Sequence, residues 1–210
     1  VFHESHDEAG NAGGTARTIV VAVNHAPLVG PTRTRAEARS RVCCGLSLLS
    51  AGTPMFFMGE EIGAQSRYTY DNFLAAREDI FGQRTGSGRA LFRFYQDLIT
   101  LVRRLRSMRS QNIDILHQSN SNRIVAFKRW TGDEEVIVVA SLNDAAFADG
   151  YVIDKDLVAI PNAGWKEIFN SDSARYGGQN VGNRGAVVGS TGGRLDVVIP
   201  AAGLVVFARQ

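Results

Sequence analysis

The chain has 210 residues, of which 44% are hydrophobic and 21% are charged, and its formal net charge is +2. This composition is ordinary for a globular protein and excludes a fibrous or intrinsically disordered chain. The length predicts one large domain or two small ones. The near balance of charge argues against nucleic-acid binding, since locally basic stretches of a helix are more often solvated faces.

The apolar segments and the cysteines of the sequence indicate a cellular compartment. It contains no run of about 18 apolar residues, so we expect no membrane association. Cys43 and Cys44 are adjacent within an apolar periodic segment, a spacing that provides neither a disulfide framework nor a C-x-x-C site. We therefore expect buried, reduced thiols in a cytoplasmic protein.

The chain opens with the polar stretch VFHESHDEAGN, whose first two residues we interpret as the end of a strand that begins upstream. His3, His6 and Asp7 would share one face and could ligate a metal if the stretch were helical. Gly10 and Asn11 follow so closely that a helix is not expected, and we predict no metal. Two interpretations stay open, a solvated polar cluster and part of an active site.

Three elements follow in the next 70 residues. RTIVVAV, residues 17–23, is compatible with a short strand, a helical turn or a loop. Apolar residues at helical spacing predict a helix that begins at Thr34 and is closed by Gly52. TPMFFMGEE, residues 53–61, contains a continuous apolar run that is typical of a strand buried on both faces of a parallel sheet.

A long connection, residues 62–88, follows this strand, and loops of this length at strand ends are often functional. The apolar stripe of residues 91–108 then predicts an amphipathic helix. Strand, loop and helix make a βα unit. The opening stretch and the preceding helix make the unit before it, so both polar clusters should lie at one edge of a parallel sheet.

The second half of the chain has a different character. Six short β-rich runs separated by Gly, Asn and Asp turns predict an antiparallel sandwich or barrel. The glycine-rich stretch of residues 176–193 lacks the spacing of a phosphate-binding loop, so we interpret it as a flexible surface loop.

The polar clusters suggest a chemistry. Ligands bind at the carboxyl edge of parallel sheets, where Asp7 would stand together with Glu60 and Glu61. Clustered carboxylates suit a reaction with an oxocarbenium-like transition state, because an anion stabilises the developing positive charge. Sugar transfer is therefore a reasonable class, although Glu60 or Glu61 could serve only as a helix cap or a structural partner.

These motifs carry a resemblance that covers nearly the whole chain. FHESHDEAGN resembles the fourth conserved region of the α-amylase superfamily, and SAGTPMFFMGEEIGA resembles the eighth barrel strand of its 1,4-α-glucan branching enzymes. NRIVAFKRW, VIVVASLN, EIFNSDSARYGG and IPAAGLVVFAR resemble the all-β C-terminal domain of the same enzymes. The resemblance implies the C-terminal part of a (β/α)8 barrel over residues 1–109, followed by an antiparallel β-sandwich over residues 110–210.

The same resemblance implies the roles of three residues. Asp7 would be the carboxylate that stabilises the transition state, His6 would hydrogen-bond the sugar, and Glu8 would contact the substrate, an α-1,4-glucan. The nucleophile and the general acid follow the fourth and fifth strands of the barrel, regions that this sequence does not contain, so the chain alone should be inactive. No cofactor is implied.

Several alternatives remain. The motifs also resemble hydrolases of the same superfamily, of the α-amylase or trehalose-releasing type, and FNSDSARYGG favours the branching enzymes. A non-catalytic carbohydrate-binding or assembly module is a third interpretation. Because a quarter of a barrel leaves an apolar edge uncovered, we also expect self-association or a partner chain.

Overall fold

The computed structural model describes residues 1–154 and 157–210. The first half is helical, with α1 (Thr18–Val21), α2 (Gly30–Leu49), α3 (Ile80–Thr85) and α4 (Arg89–Arg104). Short helical turns cover Asp7–Asn11, Glu60–Ile62, Arg106–Arg109 and Ala174–Tyr176. The second half forms β1 (Ile113–Ser119), β2 (Ile124–Thr131), β3 (Glu134–Ser141), β4 (Phe147–Ile153), β5 (Gly164–Asn170), β6 (Val187–Thr191), β7 (Arg194–Ile199) and β8 (Gly203–Arg209).

Both long helices were predicted. α2 begins earlier than expected, at Gly30, because Pro31 is compatible with the first turn of a helix. α4 buries the expected apolar stripe, whose most buried residues are Leu91, Phe94, Tyr95 and Leu98. Of the three structures that residues 17–23 allowed, the helical turn is the one that forms, as α1. No helix in the described part of the chain is long and apolar enough to cross a membrane.

The eight strands form one antiparallel sheet in the order β1-β2-β3-β8-β5-β6-β7-β4. The predicted antiparallel domain is confirmed, but it is a single curled sheet and not two separate sheets. The curl brings β4 and β7 against β1, β2 and β3, because residues of all these strands share one apolar cluster. β5 and β6 carry the hydrogen bonds around the bend.

The central strands β3 and β8 are buried on both faces. Val136 and Val138 of β3 join the cluster formed with the helices, whereas Ile137 and Val139 join the cluster inside the curl. This double burial explains why VIVVA in β3 and LVVF in β8 are continuous apolar runs instead of alternating ones.

The helices pack on the outer face of the sheet. Gly45 of α2 faces Leu204 of β8 so closely that a Cβ at Gly45 would lie 1.9 Å from the Leu204 Cδ2. The fully buried Arg129 of β2 donates to the carbonyl of Leu49 at 2.7 Å and to that of Ser110 at 2.7 Å. The division into residues 1–109 and 110–210 stays a prediction, since both parts contribute to one core.

The strand predicted within residues 53–61 is absent, and its apolar side chains Met55, Phe56 and Met58 are exposed. The start of this segment is hydrogen-bonded to Val1. The Val1 amino group donates to the Thr53 carbonyl at 2.6 Å, and the Met55 N–H donates to the Val1 carbonyl at 3.0 Å. This is the pattern of a parallel ladder, but one short pairing does not bury the run or form a sheet.

The glycine-rich stretch also differs from the prediction. Its last part forms β6, which pairs with β5 and β7, so it is not a loop throughout. The preceding turn is fixed by hydrogen bonds, since Glu167 accepts from the Asn183 backbone N–H at 2.6 Å and Asp172 accepts from the Asn180 N–H at 2.7 Å.

Candidate functional site

The opening segment divides into a buried half and an exposed half. Glu4 and Ser5 are buried, whereas the side chains of His6 and Asp7 are 51% and 58% exposed. Glu8 is also exposed. The His6 Nε2 lies 3.6 Å from the Asp7 Oδ2, so the predicted pair stands together on the surface.

A wide helical turn at Asp7–Asn11 shapes the exposed half, where the sequence predicted no helix. The prediction was wrong because Gly10 does not prevent the turn; it ends the helical geometry with a φ of 141°. A Cβ at Gly10 would lie 2.8 Å from the Arg67 Cβ and 2.9 Å from the Tyr68 carbonyl oxygen. Glycine therefore permits both the unusual φ and the close approach of the loop.

The long connection, predicted to be functional, lies against this turn. Arg67 donates to the Gly10 carbonyl at 2.9 Å, and the Tyr70 backbone N–H donates to the Asn11 Oδ1 at 2.7 Å. These bonds place the Tyr70 ring 5.8 Å from the His6 ring and 6.0 Å from the Tyr68 ring. Neither tyrosine is among the site residues predicted from the sequence, although the aromatic content of the loop was a signal.

A network of largely buried polar side chains connects the opening segment to Glu60. The His3 Nε2 lies 2.9 Å from the Glu60 Oε2, and the His3 Nδ1 lies 3.1 Å from the Ser47 Oγ. Glu60 also accepts from the Tyr95 hydroxyl at 3.0 Å and from the Phe57 N–H at 2.7 Å. The two polar clusters therefore do come together, through buried side chains.

A second buried pair lies beside the first. Glu4 forms an ion pair with Arg17 at 2.8 Å and accepts from the Thr18 N–H at 2.6 Å, at the start of α1. Burial raises the pKa of Glu4, opposed by Arg17 and the Thr18 N–H. Arg17 also donates to the Met58 carbonyl at 2.9 Å and covers the Phe57 ring at 5.3 Å. This pair ties the opening segment to residues 57–58.

Glu60 and Glu61 do not reach the exposed surface. Both are 6% exposed, and Glu61 accepts from the Gly59 N–H at 2.7 Å while its other oxygen lies 3.3 Å from Arg84. The structural role that the sequence left open is therefore the one observed, and Asp7 and Glu8 are the exposed carboxylates of the site.

His3, His6 and Asp7 do not converge as a metal site would require. Both ring nitrogens of His3 are engaged in the buried network, whereas His6 lies on the surface. Across residues 1–154 and 157–210 no group of three His, Cys, Asp or Glu residues is arranged to hold a metal ion. Of the two thiols, Cys44 is buried and Cys43 half-buried, and both are free.

The electrostatics suit the recognition of a neutral, hydroxyl-rich ligand. The Ser5 hydroxyl donates to Glu8 and lowers the pKa of Glu8, so this carboxylate is an anion and a hydrogen-bond acceptor at neutral pH. Desolvation and the negative charge of Asp7 raise the pKa of Tyr70, whose hydroxyl stays protonated and able to donate. Carboxylates beside exposed aromatic rings can bind the hydroxyls and the apolar face of a sugar.

The chain is similar to known proteins over most of its length. Residues 115–210 match the family described as alpha amylase, C-terminal all-beta domain. The chain is 31% identical over 186 residues to the 1,4-alpha-glucan branching enzyme GlgB of Dechloromonas aromatica, an alignment that covers 82% of this chain and 28% of that protein. It is 31% identical over 103 residues to Neopullulanase 2 of Thermoactinomyces vulgaris, covering 49% of this chain and 17% of that protein.

The fold has relatives among solved structures. The alpha-amylase from H.orenii superposes with a TM-score of 0.63 at 18% identity, covering 100% of this chain and 39% of that chain. At this identity the likeness concerns the fold alone. The chain spans less than a third of the curated relatives named above.

Proposed function

Because the chain belongs to the α-amylase superfamily, we propose that it is the C-terminal part of a 1,4-α-glucan branching enzyme. Residues 1–109 would complete a (β/α)8 barrel, and residues 110–210 would form the all-β domain beside it. The parallel pairing of Val1 with residues 53–55 supports this proposal, since adjacent strands of such a barrel are parallel.

The observation that carries the proposal is the exposed His6–Asp7 pair above a buried scaffold. Asp7 would stabilise the oxocarbenium-like transition state of a retaining glycosyl transfer. A carboxylate about 4 Å from a developing positive charge contributes on the order of 4 kcal/mol at an effective dielectric constant of about 20. Burial of Glu4 and Glu60 beneath the pair holds the backbone that carries it.

His6 and Glu8 would orient the sugar. His6 presents an imidazole beside Asp7 and can hydrogen-bond a hydroxyl of the sugar that is being cleaved. Glu8 is anionic at neutral pH, so it suits the acceptance of a sugar hydroxyl and not general acid catalysis. Tyr70 would contribute its ring face to the apolar side of the sugar.

The nucleophile and general acid implied by the family resemblance would come from a part of the enzyme that precedes these residues. Exposed apolar side chains at one edge of the helical part agree with such an addition, among them Val1, Phe2, Met55, Phe56 and Met58. Contiguous exposed apolar groups mark surfaces that other chain segments cover. Without that addition, the 210-residue chain would associate with a second copy through this edge. A cytoplasmic location is also part of the proposal.

The choice between branching and hydrolysis depends on what accepts the cleaved chain. Branching passes it to a 6-hydroxyl, which forms an α-1,6 bond and leaves the number of reducing ends unchanged. Hydrolysis passes it to water and creates one reducing end for each bond broken. The match to Neopullulanase 2 supports a hydrolase of the same superfamily as the second candidate.

A product assay distinguishes these candidates. The enzyme that carries this chain would be incubated with amylose, and the α-1,6 anomeric protons would be counted by NMR beside the reducing ends. The proposal predicts new α-1,6 linkages with a constant number of reducing ends. New reducing ends without α-1,6 linkages would identify a hydrolase, and tight glucan binding without either product would favour a carbohydrate-binding module.

A further inference from the structure

A cavity of about 690 Å³ lies where the start of α4 meets the turn at Ala174–Tyr176. Nothing in the proposed glucan site uses it. Its lining includes four arginines, Arg84, Arg89, Arg93 and Arg175, together with Phe92 and the backbone of Gly86.

The charges at this cavity do not balance. Asp97 is shared by Arg93 at 3.2 Å and Arg175 at 3.1 Å, and it also accepts from the Tyr176 hydroxyl at 2.9 Å. Glu61 lies 3.3 Å from Arg84. Arg89 is exposed and makes no side-chain hydrogen bond or ion pair within the described part of the chain. Two carboxylates therefore face four guanidinium groups, which leaves an excess of two positive charges.

Arg84 is held in place by aromatic rings and lacks part of its hydrogen bonding. Its guanidinium lies 5.0 Å from the ring centroids of both Phe81 and Phe92, which restricts its orientation. Its Nε is buried and has no partner among the residues that the structure describes. The two rings therefore keep the charged Arg84 guanidinium at the wall of the cavity.

The backbone at the start of α4 is tightly packed beside the cavity. α4 begins after the stretch TGSG, and its N-cap residue, Gly88, makes no side-chain capping bond. A Cβ at Gly88 would lie 2.7 Å from the Ile62 carbonyl oxygen, so glycine is needed for the close packing of this end of the helix. The Arg89 N–H already donates to the Gly86 carbonyl at 3.2 Å, so the arginine side chains, and not the end of the helix, supply the positive charge at the cavity.

We propose that this cavity binds the phosphate group of a small phosphate monoester, such as a sugar phosphate. A phosphate dianion would neutralise the excess of two charges, and planar guanidinium groups recognise phosphate oxygens through paired hydrogen bonds. The volume leaves room for the esterified body against Phe92. A single carboxylate would leave half of the excess charge uncompensated.

The test is a calorimetric titration of the purified chain with glucose 6-phosphate and, separately, with inorganic phosphate at constant ionic strength. Arg89→Gln is expected to weaken binding of the ester by about tenfold, since one charge-assisted contact is lost. The matched control is Arg103→Gln, which makes the same change at the exposed opposite end of the same helix and should leave affinity unchanged. Circular dichroism would show that both variants fold.

Three results would overturn the proposal. Absence of heat of binding at about 10 mM glucose 6-phosphate would show that the cavity is not a binding site for the ester. An equal loss of affinity in Arg89→Gln and Arg103→Gln would show that binding of the ester depends only on the net charge of the protein. Inorganic phosphate that binds as tightly as the ester would identify free phosphate as the occupant and overturn the assignment of a monoester.

Discussion

The Nε2 of His3 lies 2.9 Å from the Oε2 of Glu60, and the same oxygen accepts from the Tyr95 hydroxyl at 3.0 Å. This contact joins the opening segment to the turn after Gly59 and to α4. Because Glu60 is 6% exposed, each of these polar groups depends on the others for its hydrogen bonding. The segment that carries Asp7 is therefore held by side chains that are themselves largely buried.

The first prediction concerns this network. Glu60→Gln removes the charge that faces His3 while it keeps an oxygen for Tyr95, so we expect a loss of about 1–3 kcal/mol in the free energy of unfolding. Urea denaturation at pH 7 measures it. The control His6→Gln changes an exposed imidazole and should alter stability by less than about 0.5 kcal/mol. Equal effects of the two substitutions would contradict a supporting role for Glu60.

The second prediction concerns the contact between α2 and β8. Gly45→Ala would place a methyl group against the buried Leu204, and such overpacking costs about 1–3 kcal/mol. Without the clash, alanine would stabilise the helix by about 1 kcal/mol. The sign of the change in the free energy of unfolding therefore shows whether the clash exists. Thermal and urea denaturation both report it.

A double mutant checks that Leu204 is the cause. Adding Leu204→Val should recover part of the loss in Gly45→Ala, because residues in contact are not additive. Gly13→Ala serves as the control, since no atom lies within 4 Å of a Cβ there. A stabilised Gly45→Ala protein would show that the helix and the sheet do not approach as closely as described.

The third prediction concerns pH. Both oxygens of Asp144 lie 2.8 Å from the Arg39 Nη2, and the hydrogen bond from Arg39 lowers the pKa of Asp144. A lowered pKa in the folded state means that the ion pair stabilises the protein above the unfolded pKa and that this contribution is lost as pH falls through the folded pKa. Because the side chain of Asp144 is 51% exposed, we expect less than about 1 kcal/mol.

Asp144→Asn tests this prediction. The variant should be less stable than the wild type at pH 7, and the difference should vanish once Asp144 is protonated at low pH or when salt screens the pair. A difference that is independent of both pH and salt would indicate that the substitution acts through packing.

The fourth prediction concerns Tyr70. In the proposed enzyme Tyr70→Ala should raise KM for amylose by about 2- to 10-fold, because loss of an aromatic contact is worth about 0.5–1.5 kcal/mol. Tyr70→Phe keeps the ring and should retain most of the affinity. If both variants lose the same affinity, the hydroxyl and not the ring face is the contact.

The sequence predicts the parts of this fold that have one dominant periodicity. α4 follows from its apolar stripe, and β3 and β8 follow from continuous apolar runs, which double burial requires. β1 was not predicted, because its register shifts between Ile115 and His117 and this shift breaks the alternation of apolar and polar residues. β6 was not predicted, because it is short and contains a glycine. Its pairing with β5 and β7 depends on contacts that the local sequence does not reveal.

The candidate site was predictable to a similar degree. The exposed pair His6 and Asp7 could be identified from the motif, whereas the position of Tyr70 beside His6 depends on how the loop after Ile62 folds back. Spacing alone did not distinguish an exposed carboxylate from a buried one. The structural role of Glu60 and Glu61 is evident only from their contacts with His3, Tyr95 and Gly59.

The most direct test of the proposed function is kcat/KM on amylose for Asp7→Asn in the enzyme that carries this chain. The substitution keeps the shape of the side chain and removes its charge, so a loss of about 4 kcal/mol predicts a rate about 10³-fold lower with unchanged stability. Asp133→Asn, at a carboxylate that is 92% exposed, should leave the rate unchanged. Activity of Asp7→Asn within a few-fold of the wild type would contradict the central claim.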